Sequence, residues 1–364
     1  MSTQQDVIQW QVEDVRLHRG GPMTVPAEKA PFGRVLPYRR ADGEQPASGC
    51  ASLVRARGWI ADFGEQSMAD LLLGLSAAAA LREVTPSAPL HYSGPQSRLM
   101  ERCSIRMESS KHTWGPHIVR TATRSPVRFR VDPNASPVWL DRTSAGGTDV
   151  HAALPMRQYL TIEQSLGLRL AKNENPAPVF PSSERPVSGH VVFVTMPGWP
   201  RRLDFELSDF AAVARELVRA RDDLPWRFTV IAPRSSSDSR PFDGLPADVL
   251  CEPAAADCVD LFASAELVIG TDAGLTHLAA LSGRADGSGP EVVGLYSRHA
   301  HTKWITGSIR QHAVATRLAQ MLSLADRSAE PDELTDSAWG DAADLRVVSH
   351  RLVASFAADC AGWN

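Results

Sequence analysis

The run Val268-Ile-Gly-Thr-Asp-Ala-Gly-Leu-Thr-His277 holds the residues best placed to do chemistry. Glu266-Leu-Val-Ile-Gly270 reads as a buried strand and Leu275 to Ser282 as a helix, with Thr271-Asp-Ala-Gly274 as the turn between them. The first turn of a helix has unpaired backbone N–H groups and a partial positive charge. At the carboxyl end of a parallel strand such a turn attracts phosphate. Gly274 has no Cβ and lets the backbone come close. His277, three residues on, shares that helical face and can donate a hydrogen bond to the same phosphate. A plainer reading of the same residues is a capped helix, with Thr271 or Asp272 as N-cap and His277 packed in the core. Asp272 is an awkward neighbour for a phosphate. It fits better as a cap for backbone N–H groups or as a contact to a sugar hydroxyl.

The elements that must hold this turn form two α/β series. In the first, Gly58 to Phe63 predicts a strand, Met68 to Val84 a helix ended by Pro86, and Leu90 to Ser93 the next strand. Gln96 to Cys103 predicts a short helix, Val127 to Val131 and Val138 to Leu140 further strands, and Arg157 to Leu168 a helix. Asn173 to Ser188 is rich in proline and polar residues and reads as a linker. In the second series His190 to Thr195, Phe228 to Ala232, Glu266 to Gly270 and Val292 to Tyr296 predict strands. Leu207 to Arg221, Cys258 to Ala265 and Leu275 to Ser282 predict helices, and the tail from Asp341 to Ala361 is helical with an apolar stripe. Strands alternating with helices imply βαβ units and mostly parallel sheets.

The division that follows is an N-terminal extension (1–55), a first α/β domain (56–175), a linker (176–188), a second α/β domain (189–340) and a C-terminal helix (341–364) packing back across the domain boundary. At roughly 100–200 residues per domain, 364 residues fit two domains. The extension is rich in Pro, Gly and Arg, with a strand or two expected between Val7 and Leu17.

A net charge of −4 argues against a general nucleic-acid binder, which needs a basic field. Cys50, Cys103, Cys251, Cys258 and Cys360 form no C-x-x-C pair, so neither a zinc site nor a disulfide framework is indicated, and a reducing, cytoplasmic setting is expected. Met1 to Asp14 is polar and acidic, unlike a secretory signal. The longest apolar run, Leu71 to Leu81, is too short to span a bilayer and reads as a buried helix.

The stretch Asp257 to Ala280, with Asp-Leu-Phe-Ala-Ser-Ala-Glu-Leu-Val-Ile-Gly-Thr-Asp-Ala-Gly-Leu-Thr-His-Leu-Ala-Ala at its end, resembles the C-terminal signature of the heptosyltransferases, glycosyltransferase family 9. Arg157 to Leu168 resembles that family's helix before the linker, and Val292 to Tyr296 its strand after the signature. The resemblance covers roughly residues 58–310. It implies a GT-B architecture, two Rossmann-like domains facing a cleft, and inverting transfer of heptose from an ADP-heptose donor. It sets Asp272, Gly274 and His277, with Thr271, at the diphosphate turn. Ala273 departs from the family's usual Thr or Ser, so one hydroxyl contact is missing. The loop after the next domain's first strand supplies the family's phosphate hydroxyls and a lysine; here it offers Thr195 and the pair Arg201 and Arg202, whose planar forks suit phosphate.

Inverting transfer needs a base at the acceptor hydroxyl and charge stabilisation on the leaving diphosphate. Ser67-Met-Ala-Asp70 resembles the family's Ser-Met-Gly-Asp turn, whose Asp is the proposed base, with Ala69 in place of Gly. The resemblance thus makes Asp70 the catalytic candidate, with Glu65 in reserve. The plainer alternative is that Asp70 only caps the helix that follows. Lys303 can reach a phosphate, and Ala232-Pro-Arg234-Ser-Ser236 stands where the nucleoside would be read, without the carboxylate expected for an ADP-type ligand.

Neither Asp222-Asp223 nor Ser237-Asp-Ser239 resembles an acidic motif that holds a metal for sugar diphosphates, and His299 with His301 lacks an evident third ligand. A metal-free, cofactor-free mechanism is therefore expected, the nucleotide sugar being substrate. The acceptor class stays open among glycan, lipid-linked, small-metabolite and protein hydroxyls. Two other classes compete. A nucleotide-sugar epimerase of the same fold would convert donor without acceptor, and a non-catalytic nucleotide-sugar binder would ignore loss of Asp70.

Overall fold

The computed structural model describes residues 15–18, 59–64, 67–84, 86, 88–109, 117–120, 128–131, 142–143, 155–156, 158–159, 162, 170–171, 175–196, 205–236, 240–296, 305–316 and 348–363. Its first strand, β1 (Val15–His18), belongs to the second half of the molecule and is taken up there. The first half is a six-stranded sheet of β2 (Trp59–Asp62), β3 (Leu90–Ser93), β4 (Glu108–Ser109), β5 (His117–Arg120), β6 (Arg128–Val131) and β7 (Arg142–Thr143), in the order β4-β3-β2-β6-β5-β7. It is mixed rather than mostly parallel. β2, β3 and β4 run parallel, but β6 is antiparallel to both β2 and β5. The short connection between β5 and β6 accounts for their antiparallel pairing, because a parallel pair needs a long crossover.

Helix α1 (Met68–Val84) connects β2 to β3. Every residue from Leu71 to Ala78 is buried, so the helix is apolar all round. One side meets the first sheet; the other meets a helix of the second half. Among the described residues no helix is long and apolar enough to cross a membrane. The short helix α2 (Ser97–Met100) follows β3. Gln158, Tyr159 and Ile162 are helical and buried where Arg157 to Leu168 predicts a helix, and the Tyr159 hydroxyl donates to Glu83 at 2.6 Å. Val138 to Leu140 lies outside the described residues.

The linker is more ordered than its prolines suggest. β8 (Phe180–Ser182) lies within it and pairs in parallel with β13 (Ser282–Arg284). The second sheet contains β9 (His190–Val194), β10 (Arg227–Ala232), β11 (Ala247–Cys251), β12 (Leu267–Thr271), β14 (Glu291–Tyr296) and β15 (Gln311–Thr316). Its order is β1-β15-β14-β12-β9-β10-β11, every pair parallel except β1 with β15. Leaving β1 aside, this is the doubly wound order 3-2-1-4-5-6, whose direction reverses between β9 and β12. The extension thus contributes a strand to the edge of the C-terminal sheet.

Helices α3 (Leu207–Ala220), α4 (Ala255–Ser264), α5 (Gly274–Leu281) and α6 (His350–Cys360) complete this half. The sequence expectation has the last helix crossing to the first domain. Instead α6 packs on α3, where His350 Nε2 is 2.9 Å from Asp209 Oδ1. Its buried Val353, Ala354, Ala357 and Ala358 join the cluster of Phe193, Phe210 and Phe228 on that face of the second sheet. The apolar stripe is real; its partner is the nearer one.

On the opposite face one apolar cluster runs from Trp59 and Leu75 through Leu275 and Leu278 to Val192 and Phe262, joining both halves. A polar clasp lies beside it. The Arg102 guanidinium donates to Asp260 Oδ2 at 2.8 Å and Ala256 O at 2.7 Å, and the Ser182 hydroxyl donates to Asp260 Oδ1 at 2.7 Å. Arg102 holds the Asp260 carboxyl below the usual carboxylate range. Its stabilisation is complete above the ordinary carboxylate value and is lost as pH falls through the lowered one. Because the pair is partly exposed, Asp260→Asn should cost about 1 kcal/mol by chemical denaturation at neutral pH, a difference that vanishes in acid. Equal midpoints for the two proteins at neutral pH would contradict this.

Candidate functional site

Two helix starts meet at one place. α5 begins after β12, at the carboxyl ends of the second sheet's strands and beside the β9/β12 reversal. Its N-cap is Ala273, with extended backbone at φ −135° and no side-chain cap. Neither Thr271 nor Asp272 fills that role. Thr276 N–H and His277 N–H turn back to Ala273 O, at 3.0 and 3.3 Å. The N–H groups of Gly274 and Leu275 have no hydrogen-bond acceptor among the described residues. Uncapped N–H groups at a helix start favour an anionic oxygen.

α1 supplies the facing turn. The Ser67 hydroxyl caps it, accepting from Asp70 N–H at 3.2 Å and donating to Asp70 Oδ2 at 2.8 Å. Asp70 is therefore not the cap; it is carried in the first turn with its carboxylate steadied by Ser67. Gly274 shows how close the turns come. A Cβ there would lie 2.9 Å from Met68 Cβ and Cε and 3.0 Å from Ala69 N. The close approach that glycine permits is thus first of all an approach of helix to helix. Ala69 lies within α1, and its backbone N faces Gly274.

The floor beneath the α5 turn is built by paired glycines. Gly270 of β12 lies opposite Gly294 of β14. A Cβ on Gly270 would fall 2.3 Å from Thr276 Oγ1; one on Gly294 would fall 2.4 Å from Tyr296 Cε2. The missing side chains admit Thr276, whose hydroxyl donates to Thr271 O at 2.7 Å, and the fully buried Tyr296 ring. Burial holds the Tyr296 hydroxyl well above its ordinary pKa, with the Asp272 charge adding to it.

The predicted residues separate into three groups. Ser67, Asp70, Thr271, Asp272, Ala273, Gly274 and His277 gather around the two helix starts. Thr195 follows β9, but its hydroxyl donates to Ile231 O at 3.0 Å, and the buried Thr271 hydroxyl donates to Met196 O. Both hydroxyl protons are spent on backbone, fastening the ends of β9, β10 and β12. His277 is also buried: its Nε2 lies 3.5 Å from Asp272 Oδ1 without a hydrogen-bond partner among the described residues, and its Nδ1 lies 3.4 Å from Gln311 Nε2. Arg234 stands at the end of β10, largely exposed, with Nε 3.1 Å from Glu252 Oε2. Glu65, Arg201, Arg202, Lys303, His299 and His301 lie outside the described residues. Among those described, no group of three or more His, Cys, Asp or Glu is placed to hold a metal.

Sequence reasoning missed Glu252. It sought a carboxylate within Ala232 to Ser236, whereas the neighbouring strand supplies one, because the parallel register sets Ala232 beside Cys251. Glu252 takes a left-handed backbone, φ +45°, which turns it out of the strand. It also assigned no role to Met68, Tyr296 or Gln311, although Met68 stands inside the Ser67-Met-Ala-Asp70 turn and Tyr296 closes the Val292 to Tyr296 strand.

No protein-family model and no curated protein matches the chain. Solved structures share its fold. A family 9 glycosyl transferase from Veillonella parvula aligns with a TM-score of 0.53 at 11% identity, covering 87% of this chain and 100% of that one. The ADP-heptose lipopolysaccharide heptosyltransferase II of E. coli aligns at 0.52 and 13% identity, covering 84% and 98%.

The helix-to-helix contact makes a direct prediction. Gly274→Ala forces a methyl against Met68 and Ala69 N and should lower stability by about 1–3 kcal/mol, read as a lower denaturant midpoint at unchanged slope. An unaltered midpoint would show that the two turns are not in contact.

Proposed function

We propose that this chain is an inverting glycosyltransferase that moves a sugar from a nucleotide-sugar donor to an acceptor hydroxyl. The observation that carries the reading is the uncapped start of α5, with open Gly274 and Leu275 N–H groups, set at the sheet's reversal point against the Asp70-bearing turn of α1. The first feature suits a leaving diphosphate; the second brings a carboxylate to the same place. The shared fold supports a donor of the kind that names the E. coli enzyme, so ADP-heptose is the first candidate. Heptose itself rests on the resemblance of Asp257 to Ala280.

In this mechanism Asp70 accepts the acceptor's hydroxyl proton while that oxygen attacks the anomeric carbon from the face opposite the diphosphate. The bond from anomeric carbon to phosphate oxygen breaks, configuration inverts, and the nucleoside diphosphate leaves. Its new charge falls on the α5 N–H groups, with Arg201, Arg202 and Lys303 as the cationic complement and Thr195 and Thr271 shaping the strand ends. Asp272 reaches a donor-sugar hydroxyl with His277 behind it. Arg234, held by Glu252, borders the nucleoside. Ser67 holds Asp70 in place, with Glu65 as the reserve base. The charge work asked of metals elsewhere falls here to the helix start and the arginines. The acceptor is a hydroxyl of a glycan, a lipid-linked saccharide, a small metabolite or a protein, met in the cytoplasm.

Two measurements test this. A nucleotide-sugar panel should contain one ligand that raises unfolding stability by about 2.7 kcal/mol at a hundredfold excess over its dissociation constant. Asp70→Asn should then lower transfer of that sugar by about 10²–10⁴-fold with donor binding nearly unchanged. Full turnover by the variant would remove Asp70 from the reaction, and conversion of donor without acceptor would replace transfer with isomerisation.

A further inference from the structure

Beneath the α5 turn a chain of buried polar groups leads away from the site, and it fixes which nitrogen of His277 carries the proton. It starts at Thr306. A backbone N–H can only donate, and Thr306 N–H donates to Gln311 Oε1 at 2.9 Å; the Thr306 hydroxyl donates to the same oxygen at 2.6 Å. The Gln311 amide can therefore face only one way, with its NH₂ group pointing inward. That group donates to the Tyr296 hydroxyl at 2.7 Å and lies 3.4 Å from His277 Nδ1. A nitrogen facing an amide donor must be an acceptor, so Nδ1 bears no proton. The ring proton is then on Nε2, the atom with no hydrogen-bond partner among the described residues and 3.5 Å from Asp272 Oδ1. Thr306, Gln311 and the His277 side chain are all nearly or wholly buried, so water does not rescue a wrong tautomer.

We infer that Gln311 is a positioning residue that sets His277 as the Nε2–H tautomer, so that the histidine donates toward Asp272 and steadies this carboxylate beside the anion site. The inference deepens the donor-site reading and rests on it for its functional meaning, though not for the tautomer. It accounts for an acidic residue next to a phosphate. An N–H dipole aimed at this carboxylate from 3.5 Å behind makes it less repulsive to an anion in front, and its other oxygen can turn toward a sugar hydroxyl. Of the groups set against the ring, Asp272 from the turn lies on the Nε2 side and the Gln311 amide from β15 on the Nδ1 side. Among the described residues the amide is the hydrogen-bonding neighbour of Nδ1.

Gln311→Glu is close to isosteric and reverses the polarity. The new carboxylate still accepts from Thr306 but asks Nδ1 to donate. The full chain labelled with ¹⁵N-histidine, with His277 assigned by its loss in His277→Asn, should show the Nε2–H pattern in long-range ¹H–¹⁵N spectra. Gln311→Glu should change that pattern to one with Nδ1 protonated and weaken ADP binding roughly tenfold, the worth of one charge-sensitive hydrogen bond. An Nδ1–H pattern in the unaltered chain overturns the inference without any variant, as does an unchanged tautomer in folded Gln311→Glu. If the tautomer behaves as stated and ADP fails to bind the unaltered chain, the relay stands and the donor-site reading falls.

Discussion

The contact of Gly274 with Met68 and Ala69 is the constraint on which the arrangement depends. Two helices from different sheets begin at the same point, and each brings an electropositive end. Their partial charges repel, and the structure holds them together through the apolar packing of α1 on α5 behind the contact. The place left between and beside two such ends is one where negative charge is stabilised. Asp70 and Asp272 provide some of that charge from the protein, and the open N–H groups of Gly274 and Leu275 leave room for more. A glycine is required at 274 because any Cβ would push the helix starts apart.

Each layer beneath that point removes freedom from it. Gly270 and Gly294 sit side by side in the sheet so that Thr276 and Tyr296 can fold against the backbone. Thr271 ties β12 to the loop after β9, and Thr195 ties that loop to β10. Farther out, Arg102 fastens α2 to α4 through Asp260, and Ser104 exchanges hydrogen bonds with Val179 of the linker. These bonds between the halves mean that any opening of the site must break the clasp or turn about it.

Much of this was legible in the sequence where local pattern and burial agree. The bounds of α1 and β3 follow directly from an apolar run ended by proline and from a short apolar stretch closed by Gly94-Pro95. The α5 turn is legible because strand, turn and helix are contiguous. Three kinds of fact were not. Strand partners depend on distant segments: β15 opens with Gln311 and His312, polar residues that look exposed and are buried, beside Val292 and Val293 of β14. The direction of β6 depends on chain reversals that composition does not mark. The fate of a hydroxyl depends on what lies within 3 Å of it, so Thr195 and Thr271 read as ligands in the sequence and bond to backbone in the structure. His277 shows the same limit. Its type and spacing suggest a phosphate contact, and neither shows that the ring is buried between Asp272 and the Gln311 amide.

The central claim is that the paired helix starts hold a diphosphate. The most direct measurement is a crystal structure of the chain with a bound nucleoside diphosphate. A phosphate oxygen is expected within hydrogen-bonding distance of the Gly274 and Leu275 N–H groups, with the nucleoside running along the strand ends toward Arg234 and Glu252. A diphosphate bound elsewhere, with the α5 start left to solvent, would contradict it.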